Sequence, residues 1–377
     1  MHSGYIIIGA DTVPTSSNEE YFINGDIDKL FGKEIINYFK EAEYSMLNLE
    51  VPLCDNVSPI KKYGPNLISS SKCVCGLKRL GISLLLLSNN HILDQGQDGL
   101  QDTLTVIRNE NIEYIGISRN YDDYDVIKYI KLDDSVIAIY NCSEHEFSSA
   151  TSNKIGATPF DEYFSYKIVM EAKKKADYVF VIYHGGIEHY RYPSPRIQRI
   201  ARQFVENGSD LVIVQHSHCV GCFEKYMDST IVYGQGNFIF DRWQNDCWDT
   251  GILLEIRIEN NVVNVTPIPV VRKGAFIRLA HGETKTKILS DLKKRSEDIL
   301  MDGFVDNEFC KFSMKQLKYY ETHFLGRISK SILFRAINKF SNGKFAEWIL
   351  DEESRLIIKN YFMCESHKEL IEKGIIK

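Results

Sequence analysis

Long hydrophobic runs are missing from this sequence. No stretch approaches the roughly 18 apolar residues that a membrane-spanning helix needs. The first apolar run, at positions 5–8, has no basic segment before it, which argues against a secretory signal. The nine cysteines are an odd number scattered over 377 residues, which predicts free thiols rather than a disulfide framework. We therefore expect a cytoplasmic protein without a transmembrane segment.

An excess of basic charge is also missing. The chain has 45 Lys and Arg against 51 Asp and Glu, a net charge of -6, so we expect no nucleic-acid partner. Three common catalytic or nucleotide-binding motifs are absent as well: the G-x-S-x-G nucleophile elbow, the Walker phosphate loop and the dinucleotide glycine fingerprint. These absences argue against a serine hydrolase, a P-loop NTPase and a nicotinamide-dependent dehydrogenase.

Short continuous apolar runs alternate with helical patterns over the first three quarters of the chain. The runs lie at 5–8, 45–47, 84–87, 178–182 and 211–214. Strands buried on both faces have such runs, because helices cover each side of their sheet. Further strand patterns lie at 135–140, 230–233, 253–258 and 262–267. The last two are joined by Glu259-Asn260-Asn261, which is typical of a hairpin turn. The sequence therefore predicts an α/β fold with mixed sheets.

The composition changes near residue 285, where helical, basic and aromatic-rich sequence begins. We predict a domain over 1–285 and a helical C-terminal extension over 286–377. Within the extension, positions 327–340 place Ile328, Ile332, Ile337 and Phe340 near one helical face, with basic residues elsewhere. Such a helix either packs on the main domain or makes peripheral contact with an anionic membrane surface.

Five of the predicted strands are followed at once by residues that can bind metal. These residues are Asp11, Glu50, Asn90, His184, His216 and His218. In α/β sheets, ligands bind beyond the carboxyl ends of parallel strands, so these loops can converge. Mixed oxygen and nitrogen ligands suit Zn, Mn or Fe better than Ca, and a bridging carboxylate indicates two metals.

Each of these residues has a structural explanation when taken alone. An aspartate after a strand is more often a turn or helix cap, and histidines two apart on a strand share a face without sharing a metal. However, five of the ten histidines lie just beyond predicted strand ends, and structural roles give no reason for that clustering. A rival zinc site at Cys219 and Cys222 has CxxC spacing but no second CxxC to complete it.

Six sequence blocks reinforce this hypothesis, at 9–11, 48–52, 89–96, 184–188, 215–218 and 233–241. In their order and spacing they resemble the bacterial capsule-synthesis CapA family (PGA_cap, poly-γ-glutamate synthesis), a branch of the calcineurin-like metallophosphoesterases. The resemblance runs from about Tyr5 to Asp241. It implies a four-layer αββα metallophosphoesterase-like sandwich with mixed sheets and a centre of two divalent metal ions (Mn, Zn or Fe).

The resemblance also implies a role for each ligand. Asp11 and His218 would bind the first metal, Asn90, His184 and His216 would bind the second, and Glu50 would bridge them. Paired metals lower the pKa of a bound water toward ~7, and His91 would act as general acid on the leaving group. Val13 stands where relatives have a histidine ligand, so the first metal would have fewer ligands. Gly185 replaces a tryptophan, which predicts a wider pocket.

The loop after His184 is crowded with polar side chains. They are Glu188, His189, Arg191, Tyr192 and Arg196. This loop is either a solvated surface or a wall that contacts substrate, with arginines suited to carboxylate or phosphate. Asn237 is predicted to lie beside the metals.

The leading functional hypothesis is a metal-dependent hydrolase of a phosphoester or related bond in capsule or cell-surface polymer metabolism. Its substrate would be a polymer or a small phosphorylated or carboxylated molecule. One alternative is an amide-bond hydrolase or transferase on a poly-γ-glutamate-like polymer. Another is a non-catalytic component of capsule polymer assembly.

Overall fold

The computed structural model describes residues 4–120, 123 and 126–374. The chain divides into two compact units, Met1–Val305 and Asp306–Lys377. The strands are β1 (Ile6–Thr12), β2 (Tyr44–Leu49), β3 (Leu84–Leu86), β4 (Glu113–Ile115), β5 (Ile117–Ser118), β6 (Ile127–Leu132), β7 (Ser135–Ser143), β8 (Gly156–Ala157), β9 (Tyr178–His184), β10 (Leu211–Gln215), β11 (Val220–Tyr226), β12 (Ser229–Gln235), β13 (Asn237–Ile239), β14 (Thr250–Glu259), β15 (Val262–Lys273) and β16 (Phe276–Leu279).

Helices connect these strands and follow them. The α-helices are α1 (Glu19–Asn24), α2 (Ile27–Glu41), α3 (Val74–Leu80), α4 (Gly96–Asn109), α5 (Glu162–Lys173), α6 (Pro195–Glu206), α7 (Gly282–Asp298), α8 (Phe304–Phe324), α9 (Arg327–Lys330), α10 (Ile332–Phe340), α11 (Lys344–Ile349), α12 (Glu352–Met363) and α13 (Glu365–Gly374), with a 3₁₀ turn at Ser71–Cys73. No helix in the described part of the chain is both long and apolar enough to cross a membrane.

The first large sheet is mixed. Its strand order is β16-β15-β14-β1-β2-β3-β4, and β13 also pairs with β1. Strands β1 to β4 are parallel, whereas β14, β15 and β16 run antiparallel to their neighbours. The predicted hairpin joins β14 to β15, and its turn residues Asn260 and Asn261 both have positive φ. Asparagine tolerates that conformation and matches the twist of a tight hairpin.

The second large sheet is mixed as well. Its order is β11-β12-β10-β9-β7-β6, with β7, β9, β10 and β12 parallel and the two edge strands antiparallel. Every residue of β9 and β10 is buried. The continuous apolar runs therefore predicted these strands correctly.

Three separate apolar clusters define the layers. In β1, Ile6 and Ile8 join a cluster with Phe180 and Ile213 of the second sheet, so this cluster lies between the sheets. Ile7 faces the other way, into a cluster that includes side chains of α1 to α4. A third cluster joins the outer face of the second sheet to α5 and α6. The four-layer αββα sandwich expected from the resemblance is confirmed.

The two helices on the second sheet have clear start signals. Asp161 caps α5 by accepting hydrogen bonds from the backbone N–H groups of Tyr163 and Phe164. Ser194 caps α6, and Pro195 occupies its first turn, where no backbone donor is needed. Phe204 of α6 is fully buried, and burying such a side chain contributes roughly 1.5–3 kcal/mol.

Up to residue 374, where the described part of the chain ends, helices are the only regular elements after β16, in agreement with the predicted helical C-terminal extension. Helix α7 contributes Ile288 and Leu292 to the cluster between the sheets. The domain boundary near residue 285 stays a prediction. In the second unit, Arg355 pairs with Glu321 at 2.7 Å and the ring of Phe334 packs on that of Phe345.

Candidate metal centre

The predicted metal ligands lie at strand ends of both large sheets. Asp11 is the penultimate residue of β1, Glu50 directly follows β2, and Asn90 lies in the loop after β3. From the second sheet, His184 ends β9 and His216 directly follows β10. Because the two sheets pack face to face, these ends meet at one edge of the sandwich.

The side chains form two overlapping groups of potential ligand atoms. Glu50, His184 and His216 make one group, and Asp11, Glu50 and His218 make the other; within each, the atoms lie within 4.8 Å of one another. All five residues are buried. Glu50 belongs to both groups and therefore lies where a bridging carboxylate would be needed.

Three of the four oxygens of these carboxylates make no hydrogen bond among the described residues, although His184 Nε2 lies 3.4 Å from Glu50 Oε1 and His218 Nδ1 lies 3.2 Å from Asp11 Oδ2. Both oxygens of Glu50 and Oδ2 of Asp11 are buried without a hydrogen-bond partner. A buried carboxylate is costly unless it is paired or coordinates a metal. Carboxylate oxygens beside imidazole nitrogens are ligands that Zn, Mn and Fe accept. The residues present therefore fit a centre of divalent metal ions.

Asparagines hold the ligands in place. Asn48 Nδ2 donates to Asp11 Oδ1 at 2.7 Å, and Asn89 Nδ2 donates to Asn48 Oδ1 at 3.1 Å. Asn90 Oδ1 lies 3.1 Å from His184 Nε2. Sequence reasoning singled out Asn90 but not Asn48 or Asn89, although both stand within the blocks that carry the resemblance.

The ionisation of the cluster is strongly perturbed. Burial, and then the charge of Asp11, raises the pKa of Glu50 to about 8. Burial lowers the pKa of both His184 and His216 to about 4, so their rings are neutral, as metal ligands must be. Burial also acts to lower the pKa of His218, but Glu50 and Asp11 raise it to about 9.

His91 is buried and lies within a hydrogen-bonded trio. Its Nδ1 is 2.6 Å from Asp94 Oδ2, and Lys62 pairs with the other Asp94 oxygen. The Asp94 carboxylate is placed to accept from Nδ1–H, which leaves Nε2 to exchange a proton. Asp94 was not predicted, although it stands three residues after His91. Lys62 has no signal in the sequence.

Part of the predicted substrate wall lies at the cluster. Glu188 is exposed at the surface of the loop. The surrounding protein removes part of its solvation and so acts to raise its pKa, but electrostatic interaction with His216 and the neighbouring histidines outweighs this, and the pKa is lowered. His189 accepts a hydrogen bond from the indole N–H of Trp248 at 2.7 Å. The ring of Trp248 also packs 4.5 Å from that of His218. Trp248 was not predicted.

The other predicted wall residues divide between the centre and its surroundings. Asn237 Oδ1 lies 2.8 Å from His218 Nδ1, beside the predicted metals. Arg196 pairs with Glu144 at 3.6 Å. Arg191 donates to the Val220 carbonyl and Tyr192 donates to Asp298 of α7, so both side chains also tie the loop to neighbouring elements.

Two further carboxylates near the centre were missed. Glu144 accepts from the backbone N–H of Gly186, and the charge of His216 acts on it. Glu146 is exposed and hydrogen-bonds to Asn90. Burial raises the pKa of both groups. The surroundings of the centre therefore carry acidic as well as basic side chains.

The departures from the family pattern have structural consequences. Val13 is buried in the apolar cluster beside α1 to α4, so it supplies no ligand. At Gly185, an added Cβ would lie 2.8 Å from the Tyr183 ring and 2.9 Å from the Glu144 carboxyl. The space beside Gly185 is thus filled by these two side chains. Neither Cys219 nor Cys222 belongs to a ligand group among the described residues.

The chain is similar in sequence to bacterial proteins of capsule synthesis. Residues 5–242 match the family described as bacterial capsule synthesis protein PGA_cap. Over 274 residues the chain is 28% identical to the capsule biosynthesis protein CapA of Bacillus anthracis, covering 70% of this chain and 66% of that protein. Over 243 residues it is 29% identical to the PGA biosynthesis protein CapA of Bacillus subtilis (strain 168), covering 62% and 63%. The chain thus spans slightly less than two thirds of each relative.

Solved structures are similar at lower identity. A hypothetical protein from Thermus thermophilus has a TM-score of 0.44 at 9% identity, covering 71% of this chain and all of that one. A 5'-nucleotidase precursor from the same organism has a TM-score of 0.40 at 11% identity, covering 78% and 58%.

Proposed function

Since the chain belongs to the bacterial capsule synthesis protein family PGA_cap, we propose that it is a metal-dependent hydrolase of a phosphoester or related bond in capsule or surface-polymer metabolism. The polymer context comes from the names of its relatives, which are proteins of capsule and PGA biosynthesis. The hydrolytic chemistry is argued from the residues at the strand ends.

The carboxylate of Glu50 carries this proposal. It is fully buried, its oxygens have no hydrogen-bond partner, and it belongs to both ligand groups. Asp11 and His218 would hold one ion with Glu50, and His184 and His216 would hold the other, with Asn90 near His184. When bound, such ions supply Lewis acidity and stabilise negative charge on a reacting oxygen.

The protein's own acid–base group in this mechanism is His91. Asp94 and Lys62 fix its Nδ1, so Nε2 is the ring nitrogen that would pass a proton to the leaving group once the ring is protonated. The charge of His91 also acts on Glu50 and Glu188, so its ring lies within electrostatic range of the metal ligands. A substrate held between the ligand groups and His91 would thus meet a proton donor.

The charges around the centre favour a second candidate reaction, in which the bond that reacts is an amide. Glu144, Glu146 and Glu188 would repel a phosphate dianion, whereas they tolerate a neutral amide carbonyl. Amide-bond hydrolysis or transfer on a poly-γ-glutamate-like polymer is therefore the second candidate. Arg196, whose side chain is exposed beside Glu144, offers positive charge to a phosphate or a carboxylate in either case.

One screen tests both candidates. Purified protein with its metal content measured is assayed against phosphomonoesters, phosphodiesters and γ-glutamyl amides. We expect turnover of one class, abolished in His216→Ala and retained in a Cys219→Ser, Cys222→Ser double variant. Metal-loaded wild type that turns over none of these substrates would disprove the hydrolase and leave a non-catalytic assembly component.

We also propose that the protein works in the cytoplasm. All nine cysteines are free thiols, as expected in a reducing compartment. Cell fractionation with antibody detection tests this. Recovery of the protein outside the cytoplasmic and inner-membrane fractions would contradict it.

A further inference from the structure

The second unit contains a strongly basic stretch in an acidic protein. Residues 322–346, which we call the basic segment, contain five Lys and Arg and no Asp or Glu, although the whole chain carries a net charge of -6. The five are Arg327, Lys330, Arg335, Lys339 and Lys344, and all are exposed. The segment includes α9, α10 and the start of α11.

One face of α10 is already used for packing within its own unit. Phe334 is buried, and its ring lies 5.5 Å from that of Phe345. On the same side, Asn338 Oδ1 accepts a hydrogen bond from the backbone N–H of Ala346 at 3.0 Å. These contacts fix which side of α10 faces inward and which faces outward.

The outward side of α10 is apolar. Ile332, Leu333, Ala336, Ile337 and Phe340 fall within about 140° of one another at 100° per residue. Phe340 is 93% exposed, Ile332 85% and Leu333 69%, and Trp348 of α11 is 75% exposed. Large apolar side chains exposed together mark an interaction surface rather than ordinary solvent-facing sequence.

Basic side chains border this apolar arc. On the helical wheel, Arg335 and Lys339 fall next to the edge occupied by Ile332. Long basic side chains beside an apolar face can bury their stems and keep their charges at a polar surface. A helix with this division lies in the plane of a bilayer interface, where an indole such as that of Trp348 is also favoured.

We propose that the outward face of α10, together with Trp348, binds the surface of a bilayer containing anionic phospholipid. Charge complementarity favours an anionic bilayer over the other partners that could cover this face. A second copy of the same face would bring two basic borders together, and a nucleic acid would not cover the apolar centre. The anionic headgroups match the basic segment, and the acyl region takes the apolar arc. This inference does not depend on the proposed hydrolase.

Sedimentation of the full-length protein with vesicles tests the proposal. Vesicles of phosphatidylcholine alone are compared with vesicles that also contain phosphatidylglycerol. We expect binding only to the latter, weakened by added salt because the attraction is partly electrostatic. An Arg335→Glu, Lys339→Glu variant should bind at least ~20-fold more weakly, and Ile332→Ser with Phe340→Ser at least roughly tenfold more weakly.

A matched control changes the same charge elsewhere. Lys285→Glu with Lys293→Glu alters two exposed lysines of α7, outside the basic segment, and should bind within about twofold of wild type. Circular dichroism confirms that every variant is folded, as expected for exposed positions. Three results would each overturn the proposal: no phosphatidylglycerol-dependent sedimentation, equal weakening in the control, or a dimer by light scattering that the Ile332→Ser, Phe340→Ser variant dissociates without any vesicle binding.

Discussion

Replacing Glu50 by glutamine tests the bridging position most directly, because the effect on stability should change sign with metal. Glutamine has the shape of a protonated glutamate but cannot ionise. In the metal-free protein, burial raises the pKa of Glu50 to about 8, so folding opposes its ionisation. In the metal-bound protein, the same carboxylate would contact both ions.

The metal-free effect follows from the pKa difference. An unfolded glutamate titrates near 4.5 and the folded one near 8, so stability falls as pH rises between these values and is constant above. At pH 7 this costs about 3 kcal/mol at 1.36 kcal/mol per pKa unit. For a unit of 305 residues, that corresponds to roughly 5 °C. In chelator, Glu50→Gln should therefore melt about 5 °C above wild type, and the gain should vanish near pH 4.

Bound metal should reverse which protein, the wild type or Glu50→Gln, has the higher melting temperature. At a hundredfold excess over Kd, each bound ion stabilises the fold by about 2.7 kcal/mol. Two ions would raise the melting temperature of the wild type by roughly 8 °C. The variant has a neutral amide in place of the carboxylate that both ligand groups share, so its shift should be close to zero. With metal present, the wild type should melt roughly 3 °C above the variant.

Differential scanning fluorimetry with and without Mn²⁺ or Zn²⁺ measures both shifts. Glu224 is the matched control, since it is equally buried but accepts hydrogen bonds from Arg202 and Tyr233. Glu224→Gln should lower the melting temperature in both conditions, because it weakens satisfied contacts, and should keep the metal-induced shift. A Glu50→Gln protein that is less stable in chelator, or that keeps the full metal shift, would refute the reasoning.

The remaining predictions concern the number of bound metal ions, the role of His91 in turnover and the stability of the second unit. His216→Ala and His218→Ala should each lose about one of two metal equivalents by elemental analysis, since each histidine belongs to one group; no loss in either would contradict the two groups. His91→Ala should keep its metals but lose roughly 10²–10⁴-fold in turnover, and less with a nitrophenyl ester, whereas equal losses would indicate a structural role. Phe334→Ala should destabilise the second unit by about 3–5 kcal/mol, seen as faster proteolysis, whereas Phe340→Ala should not.

The buried strands could be predicted because their apolar runs are continuous. β1, β9 and β10 are buried on both faces, and short continuous apolar runs are typical of strands in a sheet covered on both sides. The edge strand β6 was missed. It exposes Tyr129 and Lys131 while burying Ile130 and Leu132, so its half-polar sequence resembles a surface loop. Its pairing with β7 is a tertiary contact that periodicity does not encode.

The convergence of the candidate ligands could be anticipated because strand ends meet by topology, but the residues around them could not be. Lys62 lies in a stretch without regular structure between β2 and α3, and its position beside His91 is known only from its tertiary contacts with Asp94 and with His91 itself. Glu144 was missed because β7 continues to Ser143, three residues beyond the predicted strand end. That extension places Glu144 beside His184, whose carbonyl accepts from its backbone N–H.

The backbone at the centre gives a separate argument that these histidines are kept for ligand binding. His189, His216 and His218 all have positive φ, at 60°, 95° and 55°. Such conformations cost about 1–3 kcal/mol each in residues other than glycine. Side-chain packing does not compensate for that backbone strain, since glycine or asparagine would form the same turns more easily. Two of the strained histidines, His216 and His218, form ligand groups with Glu50, whose buried oxygens also lack hydrogen-bond partners. A cation bound between them would offset both costs at once, whereas a structural role for the histidines accounts for neither.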